Sequence, residues 1–346
     1  MAQKLALIGF GTVGQGLVEI LSRKKDLLQE RHAYRPQVVA VADLHHGSCY
    51  DANGLDLDQL LDAIARDGGR PGALTSCPGG QAGWDSMETI RESGAEAMVE
   101  VTLTNIETGE PAVSHCRAAL QEGIHVVTTN KGPVALVWRE LADLAASRGV
   151  QFRFEGTVMS GTPVLSTAAE ALAGCEFARI RGILNGTTNY ILSEMEQGRG
   201  YGESLATAQE LGYAEADPTA DVEGFDVLAK VVILANVVMG ASLGVGEVSR
   251  TGIAGLDASE VAAAPAAGHR WKLIGQVERI GERVTASVGP VALPLEDPLA
   301  SVTGVTNAVT LETDLVGPVT IVGAGAGREA TGMALLSDLL AIHRAG

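Results

Sequence analysis

The sequence predicts a two-domain α/β protein: a doubly wound parallel-sheet domain, then an α+β domain, with the tail of the chain returning to the first. Three observations predict it. Apolar strand-like runs alternate with helical patterns through the first 155 residues, the rhythm of a parallel sheet covered on both faces. After about residue 155 the pattern changes to mixed helices and strands. Late in the chain, a β-branched run at 319–322, glycines at 323, 325 and 327 and a helical pattern at 331–343 follow one another. A length of 346 residues suits two domains at roughly 150 residues each.

In order, the first domain takes strands at 5–8, 38–42, 97–101, 125–128 and 151–154, with helices at 12–30, 108–122 and 133–147. The Gly-, Asp- and Ser-rich stretch 47–94 reads as an insertion with one helix at 57–65. The second domain takes a long helix over 222–239 and strands at 272–280, 284–292 and 306–313. The expected boundaries are 1–155 with 318–346 for the first domain and 156–317 for the second.

Charge narrows the partners. Forty-two acidic against 25 basic side chains give a net −17, which repels a phosphate backbone or an anionic membrane surface. Neither nucleic acid nor a membrane is expected. The apolar start, 4–21, is punctuated by glycines and lacks a cleavage pattern, while 227–239 is interrupted by Lys230 and Asn236. Cys49, Cys77, Cys116 and Cys175 form no Cys-x-x-Cys pair, so a disulfide framework and a zinc knuckle are both disfavoured. A reducing cytoplasm is the expected setting.

Gly9-Phe10-Gly11-Thr12-Val13-Gly14 has the Gly-x-Gly-x-x-Gly spacing between a strand and a helix, the context that a Rossmann-type dinucleotide fingerprint requires. Asp43 ends the second strand, 29 residues beyond Gly14. It reads either as the partner of an adenosine ribose hydroxyl, which favours NAD over NADP, or as a turn residue.

Asn185-Gly186-Thr187-Thr188-Asn189-Tyr190 follows a strand end and precedes a helix. It can bind a polar ligand, or Thr188 or Asn189 can cap the helix. In GYAEADPTADVEGFDVLAK, 212–230, Asp226 and Lys230 stand four apart and share a helical face. The plain reading is an exposed ion pair. Yet Lys230, one of only six lysines, sits among Val227, Leu228, Val231 and Ile233, where a carboxylate-paired amine is a candidate proton donor. Lys131, at the end of the strand from His125, is a second candidate or a surface lysine.

Together these segments, with TNIETGEPA at 104–112, VVTTNKGP at 126–133 and VTIVGAGAG at 319–327, resemble homoserine dehydrogenase over essentially the whole chain. The resemblance implies reversible reduction of L-aspartate 4-semialdehyde to L-homoserine with NADPH or NADH, towards threonine, methionine and isoleucine. It implies that Lys230 is the acid/base, Asp226 orients it and touches the substrate hydroxyl, and Lys131 adds positive charge. Glu215 would hold the substrate amino group and Asp221 support the lysine, with Gly212, Tyr213, Asn185, Gly186 and Thr187 completing the substrate site. Thr102, Gly325 and Gly327 would join the fingerprint loop and Lys131 in lining the cofactor. A monovalent cation such as sodium would fall on Glu155, Val158, Ser160 and Thr162. An isologous homodimer through the second domain is implied, with no regulatory extension. Two rivals remain: a dehydrogenase of another small amino or keto acid, and a nucleotide-sensing protein without catalysis.

Overall fold

The computed structural model describes residues 2–66, 68–76 and 80–345; Cys77 lies outside the described residues. The chain forms two compact units, 1–161 with 327–346 and 162–326.

The first unit holds a six-stranded sheet of β1 (Gln3–Ile8), β2 (Pro36–Asp43), β3 (Gly47–Tyr50), β4 (Ala97–Glu100), β5 (His125–Thr128) and β6 (Phe152–Arg153), in the order β3-β2-β1-β4-β5-β6. All neighbours run parallel except β3, which pairs antiparallel with β2. The insertion thus supplies an edge strand, and it adds two helices, Leu57–Arg66 and Ser86–Glu92. Alternate residues of the central strands enter different cores. Leu5, Leu7 and Val99 pack with Leu17, Leu21 and Leu335, while Ile8, Met98 and Val126 pack with Cys116, Leu120 and Leu141. Both faces are covered, so the middles of the central strands carry apolar residues on both sides. The order reverses at β1, which has β2 on one side and β4 on the other; in such sheets ligands bind beyond the strand ends at this switch point.

The single helix expected over 12–30 is two, Thr12–Arg23 and Lys25–His32, joined at Lys24. Together they fill the long interval before Asp43.

The second unit holds β7 (Phe177–Ile183), β8 (Ser249–Arg250), β9 (His269–Ile280), β10 (Arg283–Pro294), β11 (Thr306–Thr313) and β12 (Gly317–Ala324), in the order β12-β11-β7-β9-β10-β8. Only β8 pairs parallel, with β10. The run at 319–322 therefore does not return to the first sheet. It lies in β12, which pairs antiparallel with β11, because a connection of three residues between them permits only a hairpin. The chain rejoins the first unit at Gly327, through the helix Arg328–Ala345. The crossovers thus fall later than expected, at 161/162 and 326/327.

The helix expected over 222–239 is divided. Gly224 takes the left-handed conformation (φ 80°) and opens the helix Phe225–Ile233, which continues into a π-helical turn, Leu234–Val238. Val227 and Val231 pack against Gly275 of β9, so the helix carrying Lys230 rests directly on the sheet. Among the described residues no helix is long and apolar enough to cross a membrane.

Candidate active site

In the first unit, the three fingerprint glycines meet three different demands. Gly9 has φ +100°, and a Cβ there would stand 2.6 Å from the Val101 carbonyl oxygen. At Gly14 a Cβ would stand 2.6 Å from the Gly9 carbonyl oxygen, so helix and loop pack backbone to backbone. At Gly11 nothing lies within 4 Å of the same position, which leaves its backbone open to a ligand. Gly11 is also the N-cap of Thr12–Arg23 and supplies no side-chain cap, so the leading N–H groups suit a pyrophosphate. Phe10 is buried beneath the loop while Thr12 is exposed and Val13 half-buried. These residues fit a dinucleotide.

Asp43 braces this loop. Its Oδ2 accepts from Phe10 N at 2.7 Å, and its Oδ1 accepts from His45 N at 2.9 Å and His46 N at 2.8 Å. Burial alone would raise its pKa, but the N–H groups of Phe10, His46 and His45 together hold it below the usual carboxylate value. The next side chain, Leu44, is fully exposed.

At the ends of β4 and β5 a carboxylate unmarked by any motif organises the neighbourhood of Lys131. Glu100 is fully buried. Its Oε1 accepts from the amide of Thr102 at 3.2 Å and from that residue's hydroxyl, and its Oε2 accepts from Thr128 Oγ1 at 3.3 Å. Asn130 N donates to Thr128 Oγ1 (2.9 Å), its Nδ2 donates to Thr102 O (3.2 Å), and its Oδ1 accepts from Gly132 N (3.0 Å). Asn130 thereby caps Lys131–Arg148 and sets Lys131 at the first helical position. The available signal was a lone acid in an apolar run, Ala97-Met98-Val99-Glu100-Val101.

In the second unit the fold gathers Asn185, Asp221, Asp226 and Lys230. Lys230 is buried; its Nζ donates to Leu184 O at 2.6 Å and to Asp226 Oδ2 at 2.7 Å. Asn185 Nδ2 donates to Asp221 Oδ1 at 2.7 Å and to Asp226 Oδ2 at 3.0 Å. The other end of the same amide, Oδ1, accepts from Thr188 N at 2.9 Å and caps the helix Gly186–Glu196. The helix cap is thus Asn185 rather than Thr188 or Asn189, and one side chain caps the helix while bridging two carboxylates. Burial, and then the charge of Asp226, raises the pKa of Asp221 against the opposing hydrogen bond of Asn185.

Thr187 Oγ1 donates to Tyr213 O at 2.6 Å, which ties the helix start to the loop of Gly212 and Tyr213. Gly212, Tyr213 and Glu215 are exposed, and the Glu215 carbonyl accepts from Gln209 Nε2 at 3.0 Å.

Gly325 stands in the second unit and Gly327 in the first. Beneath Gly325 lies Asn307, fully buried, with neither end of its amide partnered among the described residues. Glu155, Val158 and Ser160 fall on one irregular stretch in which Met159 (φ 59°) and Ser160 (φ 53°) are both left-handed. The hydroxyls there are engaged: Ser160 Oγ bonds Thr331 Oγ1 at 2.8 Å, and Thr162 Oγ1, in the second unit, donates to Ala324 O at 2.9 Å. Among the described residues no three His, Cys, Asp or Glu side chains cluster as a metal site.

A family model described as homoserine dehydrogenase matches residues 163–340. An NAD(+)-dependent homoserine dehydrogenase of Pseudomonas canavaninivorans is 46% identical over 342 residues, covering 99% of this chain and 96% of that protein. A homoserine dehydrogenase of Methanocaldococcus jannaschii is 41% identical, over 98% of each chain. The structure of a hyperthermophilic archaeal homoserine dehydrogenase in complex with NADPH superposes with a TM-score of 0.85 at 29% identity, covering 100% of this chain and 99% of that one. Those enzymes pair a Rossmann nucleotide-binding domain with a second domain, as the two sheets do here. Full-length identity at this level, together with the glycine cradle and the buried lysine, places the chain in the homoserine dehydrogenase family.

Proposed function

We propose that this protein catalyses the reversible, NAD(P)-dependent interconversion of L-homoserine and L-aspartate 4-semialdehyde, with Lys230 as the proton-transfer group. The observation that carries the assignment is the seat of its amine: buried, and held at 2.7 Å by Asp226 and 2.6 Å by the Leu184 carbonyl. A bound nicotinamide cofactor supplies the hydride acceptor or donor.

In the reducing direction the carbonyl oxygen develops negative charge, and Lys230 Nζ donates the proton that completes the alcohol. Two of its N–H bonds face Leu184 O and Asp226 Oδ2, so the third is the one assigned to the substrate oxygen. In the oxidising direction the neutral amine takes the hydroxyl proton. Asp226 fixes the amine's direction and balances its charge. Asn185 holds Asp226 and Asp221 together beside the ammonium. Glu215 takes the substrate's amino group, and Lys131 contributes positive charge.

The reading includes NAD in preference to NADP. Asp43 ends β2, an exposed leucine rather than a cation follows it, and a 2′-phosphate would meet a carboxylate there. It also includes a homodimer through the second sheet, a step in threonine, methionine and isoleucine synthesis, a monovalent cation on carbonyls near Ser160, and a cytoplasmic setting. Homoserine-dependent reduction of NAD and NADP, measured side by side, tests the reading. Turnover of a 2-hydroxy acid without turnover of homoserine refutes it.

A further inference from the structure

A second buried lysine, outside the cluster just described, organises the other side of the helix that Asn185 caps. Lys272 of β9 has no exposed surface. Its Nζ donates to Val302 O at 2.6 Å and to Asn189 Oδ1 at 3.1 Å. Asn189, on the first turn of Gly186–Glu196, is itself fully buried. Its Nδ2 faces three carbonyls of one short segment: Val302 O at 3.3 Å, Gly304 O at 2.9 Å and Thr306 O at 3.1 Å. Ser193, one turn further along the helix, accepts from Gly304 N at 3.3 Å.

The segment 302–306 has no regular structure before β11 begins at Thr306, so its carbonyls depend on these side chains for their partners. It also touches the helix where substrate binding is assigned. A Cβ on Gly186 would stand 2.6 Å from Val305 O, so the segment lies against the residue directly after Asn185. Lys272 and Asn189 together fix the segment, the segment fixes the start of the helix, and the start of the helix carries the amide that bridges Asp221 and Asp226.

A charge in this position is not needed for packing. An apolar side chain of similar volume would fill the site without the desolvation that a buried ammonium incurs. What the ammonium adds is direction: it holds a carbonyl of one segment and an amide oxygen of another element from a third element, the strand. We infer that Lys272 is a positioning residue for homoserine binding, acting through Asn189 and the segment 302–306 on the placement of Asn185. The inference rests on the substrate site proposed above.

The test uses Lys272→Met and Asn189→Ser in the full-length protein, singly and together. Steady-state kinetics with homoserine are combined with hydrogen exchange of the amides in 302–306. Each single variant should raise the KM for homoserine by about tenfold or more, with a smaller fall in kcat and cofactor affinity within about twofold, since a displaced Asn185 weakens substrate binding directly and reaches Lys230 only through Asp226. Exchange should accelerate in 302–306 and remain unchanged in β9 and β10. The double variant should be little worse than either single one, because both open the same clamp. A KM that stays at the wild-type value while the segment loosens overturns the inference, as does a raised KM with no local change in exchange or with additive effects. Should homoserine not be turned over by the wild-type protein, the substrate assignment fails instead, and the exchange data still decide whether the two residues act as one clamp.

Discussion

Replacing Lys230 with methionine preserves the apolar stem and removes the amine, so its effects on fold and on chemistry can be worked separately. The substitution leaves Asp226, whose side chain is 17% exposed, without its ammonium, and leaves the Leu184 carbonyl without its donor. Removing one partner of an ion pair this enclosed costs about 3–5 kcal/mol. At about 2–4 °C per kcal/mol for a unit of this size, the melting temperature should fall by about 10 °C. Loss of the proton donor should lower turnover by roughly two to four powers of ten. Adding Asp226→Asn removes the uncompensated charge, together with the neighbouring charge that raises the pKa of Asp221. The double variant should therefore recover most of the lost melting temperature and none of the lost turnover. Calorimetry and homoserine-dependent absorbance of the reduced nicotinamide read the two quantities. Turnover of Lys230→Met within about tenfold of wild type refutes the role, and so does a double variant that regains activity along with stability.

Three further outcomes follow from the same geometry. Gly11→Ala should fold normally and weaken cofactor binding, since its Cβ meets open space, whereas Gly14→Ala should lose soluble protein because its Cβ would press on the Gly9 carbonyl at 2.6 Å; equal behaviour in a binding titration and a melting curve would contradict this. Leu44→Arg should raise use of NADP relative to NAD by about tenfold by offering a cation to the 2′-phosphate, and an unchanged ratio of kcat/KM values would remove Leu44 and Asp43 from cofactor choice. Burial pushes the pKa of Lys272 down to about 8 from 10.5, with the nearby charge of Glu196 opposing and that of Arg270 assisting. The folded protein therefore binds fewer protons than the unfolded chain between those values, so stability contributed here is present above pH 10.5 and lost as pH falls through 8. Wild-type stability relative to Lys272→Met should rise by roughly 3 kcal/mol across that window, and a flat difference in chemical denaturation would disprove the shift.

The parts of the fold legible in the sequence are those specified by short-range pattern. Strand β5 at 125–128 and strand β11 at 306–313 stand as read, because continuous apolar or β-branched runs leave few alternatives. The fingerprint loop was legible because each glycine has a separate steric reason to be there. The tail is ambiguous in sequence for a physical reason. The sequence of strand, glycine turn and helix is the same whether the strand pairs with its near neighbour or with a distant sheet, and only the three-residue link to β11 decides for the hairpin. Likewise 47–94 shows no periodicity strong enough to announce β3, whose register comes from pairing with β2.

The two buried lysines show where site reading succeeds and where it stops. Scarcity of lysine and an apolar setting apply equally to Lys230, among Val227, Leu228 and Val231, and to Lys272, among Trp271, Leu273 and Ile274. Lys230 stood out because its carboxylate is four residues away, on the same turn of the same helix, where spacing alone brings partners together. The partners of Lys272 lie 83 and 30 residues away and include a backbone carbonyl, a group that every residue possesses. No spacing rule can mark such a contact. Glu100 combines the two, with Thr102 two residues on and the hydroxyl of Thr128, 28 residues distant, on the adjacent strand. A charge inside an apolar run therefore signals a buried polar contact whether or not a partner is visible nearby. The visible partner distinguishes a locally assembled pair from a long-range contact that only the folded sheet can complete.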